Sequence, residues 1–215
     1  MQITLNNIVP TPLKDTLLKR KSDVWNTTQN FSSNDWIKIK APSGTGKTTL
    51  IHILYKLRFD FDGSLLWNNI STNQINETAL ATIRQEKLSI IFQDLKLFPN
   101  LTARENIELK RVLPKPYYDA SAIDLMAEKL GVTHILHQRT GLCSYGEQQR
   151  IAIIRALIQP FELLLMDEPF SHLDKENTSI AATLIAEECI RRNAGFVLTD
   201  LDDDNHFNYS KQLSL

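Results

Sequence analysis

The chain has 215 residues, of which 42% are hydrophobic and 23% charged, with a formal net charge of −1. That describes a globular protein able to bury a core of its own, and the balanced charge excludes bulk attraction to nucleic acid. Two cysteines, Cys143 and Cys189, make no disulfide framework and favour a reducing compartment. The start MQITLNNIVP lacks the pattern of a signal peptide and no apolar stretch is long enough to cross a bilayer, so any membrane connection is expected through a partner.

Residues 1–36 show no clear periodicity: KDTLLKRKSD is basic and expected to be exposed, and WNTTQNFSSNDW is rich in turn formers. Trp36–Lys40 alternates apolar and polar residues as a strand does. It runs into APSGTGKT and out through TLIHILYKL, whose apolar residues recur at helical spacing. FDFDGSLLWNN predicts a turn at Gly63 followed by a strand, and Leu88–Gln93 predicts another short strand. From Asp94 to about Gln138 the character is helical: Thr102 and Glu105 form a capping-box pattern, Pro114 and Pro116 break the chain, and Ile123, Met126, Ala127 and Leu130 share a helix face. Strand character returns at Phe161–Asp167 and Gly195–Asp200, separated by a helix over Lys175–Arg192, and the tail leaves room for one closing strand. The alternation predicts an α/β fold with a mostly parallel sheet and a helical insert.

Three stretches carry chemistry. In Ala41–Thr49, a strand leads through a glycine-rich loop to a helix, the setting in which backbone N–H groups cradle phosphate. Ser43, Gly44, Thr45, Gly46 and Thr49 form the candidate cradle, Lys47 would reach the terminal phosphates, and the Thr48 hydroxyl would help hold Mg²⁺. Ala41 stands where the pattern has its first glycine, at about 1 kcal/mol or more if that backbone must be left-handed and little otherwise. In Leu163–Pro169, four apolar residues end in Asp167 and Glu168. Buried carboxylates are costly unless paired or metal-linked, so Asp167 is the candidate for the metal's water shell and Glu168 for polarising the attacking water. In Leu142–Leu157, Ser144 followed by Glu147 is a capping box that opens a helix with the inward face Ile151, Ile154, Leu157 and Ile158. Taken alone, it is an ordinary well-capped helix.

The order of motifs, with APSGTGKTT followed by FQD, SYGEQQR, LLLMDEP and SHLD, resembles the ATP-binding cassette ATPases, the motor subunits of ABC transporters, from about residue 28 onward. The resemblance implies a P-loop NTPase core of ABC type, with a mostly parallel sheet, an N-terminal β segment, and a helical subdomain over residues 94–150 inside a single domain spanning 1–215. It implies Mg²⁺ and ATP as cofactors, coupling of hydrolysis to a transmembrane permease subunit, and a peripheral place on the cytoplasmic face of the cell membrane, with no nucleic acid as partner. A head-to-tail homodimer or heterodimer would set Ser144 and Gly146 of one subunit against the phosphate loop of the other. Gln93 resembles the glutamine that joins the metal site to the helical subdomain, and Ser171–Asp174 resembles the loop that communicates across the dimer. FQDLKLFPNLTARENIEL is closest to the lipoprotein-releasing, cell-division and macrolide-exporter branch.

Three departures stand against the pattern. Tyr145 replaces the first signature glycine, where its ring either obstructs closure or points away. Asp200 replaces the histidine that contacts the γ-phosphate, and an ionised carboxylate cannot donate a hydrogen bond. His206, in the tail, is not at a spacing that supports it as a substitute. No aromatic residue precedes Trp25 to stack on adenine. These departures favour a second reading, a catalytically impaired ATP-binding subunit with a regulatory or structural role in an asymmetric dimer.

Overall fold

The computed structural model describes residues 1–17, 21–201 and 203–215; part of the basic KDTLLKRKSD run and one aspartate of the tail lie outside the described residues. In chain order the elements are β1 (Gln2–Pro10), α1 (Lys14–Leu17), β2 (Thr28–Ser32), β3 (Trp36–Lys40), α2 (Lys47–Leu54), β4 (Phe61–Trp67), β5 (Ile70–Ser71) and α3 (Glu77–Glu86). They continue with β6 (Leu88–Ile91), α4 (Ala103–Arg111), α5 (Ser121–Lys129), α6 (Tyr145–Ile158), β7 (Leu163–Asp167), α7 (Lys175–Arg192), β8 (Gly195–Asp200) and β9 (Lys211–Ser214).

Two sheets result. The central one has the order β6-β7-β8-β3-β9, and every pairing in it is parallel. The other is antiparallel, in the order β2-β1-β4-β5. β7 explains why the central sheet needs cover on both faces: Leu163 and Leu165 join the core shared with β1, β4 and α2, while Leu164 and Met166 join the core shared with α4, α5 and α6. A strand buried on both sides reads as a continuous apolar run, and LLLM is one.

The N-terminal strands escaped the pattern for a local reason. In β1 the fully buried apolar side chains are Ile3, Leu5 and Ile8, so the period of two is broken by a register shift between Asn6 and Val9. β2 buries only Phe31 among polar neighbours. Gly63, read from sequence as a turn, lies inside β4 opposite this bulge. It has φ +96°, and a Cβ there would come within 2.5 Å of the Asn6 and Asn7 carbonyl oxygens. The bulge, not a chain reversal, is what requires glycine there.

A buried ion pair ties the tail to the centre of the sheet. Lys38, in β3, is 1% exposed and pairs with Asp204, whose other carboxylate oxygen accepts from the Tyr209 hydroxyl at 2.6 Å. Burial pushes the Asp204 carboxyl up, but the hydrogen bonds from Lys38 and Tyr209 outweigh it and hold it below the ordinary range. Its stabilisation is thus present above the unfolded pKa and lost as pH falls through the folded one. Asp204→Asn is expected to cost about 3 kcal/mol in urea denaturation at neutral pH, with much of it recovered by adding Lys38→Met. Asp203→Asn, which breaks the exposed pair with Lys40, should cost under about 1 kcal/mol. Equal losses would contradict the assignment.

Candidate functional site

The loop between β3 and α2 turns through Gly44 (φ +78°) and Gly46 (φ +102°), with Gly46 as the N-cap of α2. Ala41 is buried and is not among the residues with positive φ, so its methyl stands in place of the expected glycine without backbone strain. The loop borders a cavity of about 240 Å³ that Ser43, Gly44, Gly46, Lys47, Thr48 and Thr49 line from one side and Gln93 and Glu168 from another. Thr45 departs from the expected cradle: it is buried, and both its N–H and its hydroxyl donate to the Pro42 carbonyl. It shapes the loop rather than lining the cavity.

Lys47, Gln93, Thr48 and Glu168 form one connected set. The Lys47 ammonium donates to the Ala41 carbonyl at 2.9 Å and lies 3.2 Å from Glu168 Oε1. The Thr48 hydroxyl donates to Gln93 Oε1 at 3.0 Å, and Gln93 Nε2 donates to Glu168 Oε2 at 3.3 Å. Glu168 takes φ +46°, a conformation that a non-glycine residue adopts only when its surroundings impose it. Its N–H donates to the Thr199 carbonyl and its own carbonyl accepts from Ser171 N–H, so β8 and the following turn hold it there.

Asp167 ends β7 at 1% exposure. Its Oδ1 accepts from the Thr199 hydroxyl at 2.9 Å, while its Oδ2 is buried with no partner. Burial pushes the carboxyl up, and the Thr199 hydrogen bond only partly opposes it. An unpartnered carboxylate oxygen with a hydroxyl and an amide oxygen is the kind of oxygen donor set that a hard divalent cation would take, so Asp167, Thr48 and Gln93 are the residues that could hold one.

The other expected residues lie elsewhere. Ser144 caps α6 in a reciprocal box with Glu147, and neither it nor Gly146 lines the cavity of its own chain. Gly146 allows a close approach, since a Cβ there would lie 3.1 Å from the His172 carbonyl oxygen. Tyr145 points away from the core at 69% exposure, its ring 5.1 Å from that of His172. Signature and Ser171–Asp174 loop are thus packed together. Asp200 is also outside the lining; its Oδ1 accepts from Leu201 N–H at 2.7 Å, and burial pushes its carboxyl up. Trp25 is only 3% exposed, with its ring against Gly46 and its indole N–H toward the Thr45 carbonyl, so it supports the loop from beneath. His206 packs its ring 5.6 Å from that of Phe170.

Arg155 is a site-shaping residue that motif reading missed. From α6 it donates to the carbonyls of Leu95 and Lys96, which follow Gln93 closely and both have positive φ. Burial holds its guanidinium pKa down to about 10. The signal was present as a charged residue on the buried stripe between Ile151 and Ile158.

The family profile described as ABC transporter matches residues 25–171. The chain belongs to the ABC transporter family. Among relatives of this ABC protein, it is 34% identical over 175 residues to the Bacillus subtilis protein named as an uncharacterised ABC transporter ATP-binding protein, YvcR, covering 80% of this chain and 68% of that one. It is 36% identical over 151 residues to the Bacillus subtilis ABC transporter ATP-binding protein YxdL, covering 69% and 59%. It is also 34% identical to the macrolide export ATP-binding/permease protein MacB of Bdellovibrio bacteriovorus, over 66% of this chain but only 22% of MacB. The dimeric structure of MJ0796, a bacterial ABC transporter cassette, superposes with a TM-score of 0.79 at 26% identity, covering 93% of this chain and 88% of that one. This ABC chain is therefore an ATP-binding domain of the transporter ATPase type. Among the described residues, no helix is long and apolar enough to cross a membrane.

Without metal, the unpartnered Asp167 oxygen is a destabilising group. Asp167→Asn is expected to raise stability by about 1 kcal/mol at neutral pH in the absence of nucleotide. The folded carboxyl lies above its unfolded value, so the deficit of the wild type should grow as pH rises through the carboxylate range and vanish below it. Denaturation curves at acid and neutral pH check both; a less stable variant at neutral pH would contradict the account.

Proposed function

We propose that this chain binds Mg²⁺–ATP in the cavity over the Ser43–Thr49 loop and hydrolyses it to drive a transmembrane permease subunit. The observation that carries the reading is the connected set Thr48–Gln93–Glu168–Lys47, joined by short contacts beside one cavity over the glycine-rich loop. Thr48, Gln93 and Asp167 would hold Mg²⁺, which when bound neutralises phosphate charge. In the chain alone, Lys47 is paired with Glu168. A phosphate group is a stronger partner for that ammonium, so bound nucleotide would draw Lys47 away and free Glu168 to accept a proton from water. That water forms a bond to the γ-phosphorus as the bond to the bridging oxygen breaks; ADP and phosphate leave, and the proton resides on Glu168.

Ser144 and Gly146 reach no phosphate in their own chain, which supports a head-to-tail arrangement in which they approach the loop of a second ATPase subunit. The exposed ring of Tyr145 is turned toward His172, so it need not block that approach. Residues 94–150 would act as a helical subdomain within a single domain spanning 1–215, with Arg155 anchoring its entrance. The chain would lie on the cytoplasmic face of the cell membrane, bound through its partner.

A second reading, an impaired subunit in an asymmetric dimer, is favoured by Asp200, which offers no donor where a histidine is expected. Steady ATP turnover with Mg²⁺ separates the two. Turnover above a Glu168→Gln blank by about 100-fold or more is expected; turnover equal to the blank, even with the permease present, would contradict an active motor. Asp200→His is expected to raise turnover severalfold if the missing donor limits the rate, and an unchanged or lower rate would show that it does not.

A further inference from the structure

A cavity of about 710 Å³ lies between the segment before α5, one face of α5 and the second half of α7, and shares no residue with the nucleotide cavity. Ala122, Leu125 and Met126 of α5 and Leu184 of α7 give it an apolar floor, and Leu125 is 61% exposed. Such a volume suits a small molecule. The charges around the floor are unequally matched. Glu188 is buried, bound to Arg192 at 2.8 Å and to the Tyr118 hydroxyl, which donates to it at 2.7 Å. Arg191 donates to that same hydroxyl, and Lys129 pairs with Glu187 at 2.6 Å. Every cation of the wall is thus engaged. Asp119 and Glu128, which also line the cavity, have no cation partner among the described residues. Asp119 accepts from the N–H and the hydroxyl of Ser121, which hold its carboxyl below the ordinary range and therefore ionised at neutral pH. The cation whose charge reaches it, Arg111, is bound to Glu108. Asp119 precedes α5 and Glu128 stands in its last turn, so at about 1.5 Å per residue the two acids are spaced along one helix face with Leu125 between them.

We propose that this cavity binds a linear aliphatic polyamine, with its end ammonium groups at Asp119 and Glu128 and its methylene chain over Leu125 and the apolar floor. Charge complementarity selects the occupant: carboxylates at the two ends of an apolar strip call for cations separated by hydrocarbon. An anion finds no unpaired cation there. A single metal ion cannot span acids at the two ends of a helix face, and no metal-ligating cluster occurs among the described residues. The aromatic wall is not a cage for a quaternary ammonium either, because Arg192 already covers the Tyr117 and Tyr118 rings, 4.2 and 5.2 Å from their centroids. The occupant would touch α5 and α7 together and brace one helix against the other.

Calorimetric titration of spermidine into the full chain, without nucleotide and at low salt, tests the proposal independently of ATP turnover. A short diamine, diaminopropane, and an amidated oligolysine peptide serve as comparisons. Spermidine is expected to bind with one site per chain and about fivefold more tightly than the diamine, which reaches only one of the two carboxylates. Glu128→Gln and Asp119→Asn are each expected to weaken spermidine about fivefold, as for the loss of one exposed ion pair, while Glu77→Gln, at an exposed acid on α3, leaves it unchanged. Asparagine at position 119 keeps the oxygen that accepts from Ser121, so the start of α5 is preserved. No binding, several equivalent sites per chain, an equal loss in Glu77→Gln, or equal affinity for the two amines would overturn the proposal. Tighter binding of the oligolysine peptide would assign the cavity to a basic protein segment and overturn it as well. The comparison of the two amines uses the unaltered chain, so it decides the matter even where a variant misfolds.

Discussion

The carboxylate of Asp167 organises the site because only one of its two oxygens is satisfied by the protein. β7 must be apolar to sit between two cores, yet it ends on a charge at the point where solvent has been excluded. Thr199 on the neighbouring strand supplies one hydrogen bond, and the remaining oxygen is buried without a partner. A fold that keeps such a group gives up stability that asparagine would return. On the proposed reading a cation arriving with nucleotide would offset the loss, and would link binding free energy to local stability at one atom.

From that atom the geometry spreads outward through short contacts. Glu168 is forced into a left-handed conformation by β8 and the following turn, which sets its carboxylate against Lys47 and Gln93. Gln93 opens the segment whose next residues are fixed by Arg155, and Arg155 belongs to the helix that Ser144 begins. The start of that helix in turn lies against His172. Thr48, Gln93 and Glu168, the segment before α4 and the start of α6 are thus joined through hydrogen bonds and the body of α6, a continuous physical connection between the cavity and the helices beyond it.

The sequence disclosed most of the central sheet because each strand there has a simple cause: alternation in Trp36–Lys40 and an unbroken apolar run in Leu163–Met166. Helix starts at Thr102 and Ser144 were legible from their capping boxes, and both boxes form. β1 was hidden because a bulge breaks its period, and Gly63 was misread because a glycine for a bulge looks like a glycine for a turn. At the site, the residue types of the phosphate loop and the Asp–Glu pair were visible, but the inward turn of Thr45 and the support given by Trp25 depend on contacts across the loop. Arg155 needed a different kind of attention, to a charge on a buried stripe. Asp200 occupies the expected position in the chain, yet its side chain is turned to its own backbone, which no spacing argument contains.

The unsatisfied Asp167 oxygen should make nucleotide binding dependent on a divalent cation. Calorimetric titration of ATP into the chain, with Mg²⁺ and then with the cation chelated, tests it most directly. Affinity should fall by about tenfold or more without Mg²⁺, because a buried carboxylate is then left near phosphate without a cation between them. Equal affinity under the two conditions would contradict it.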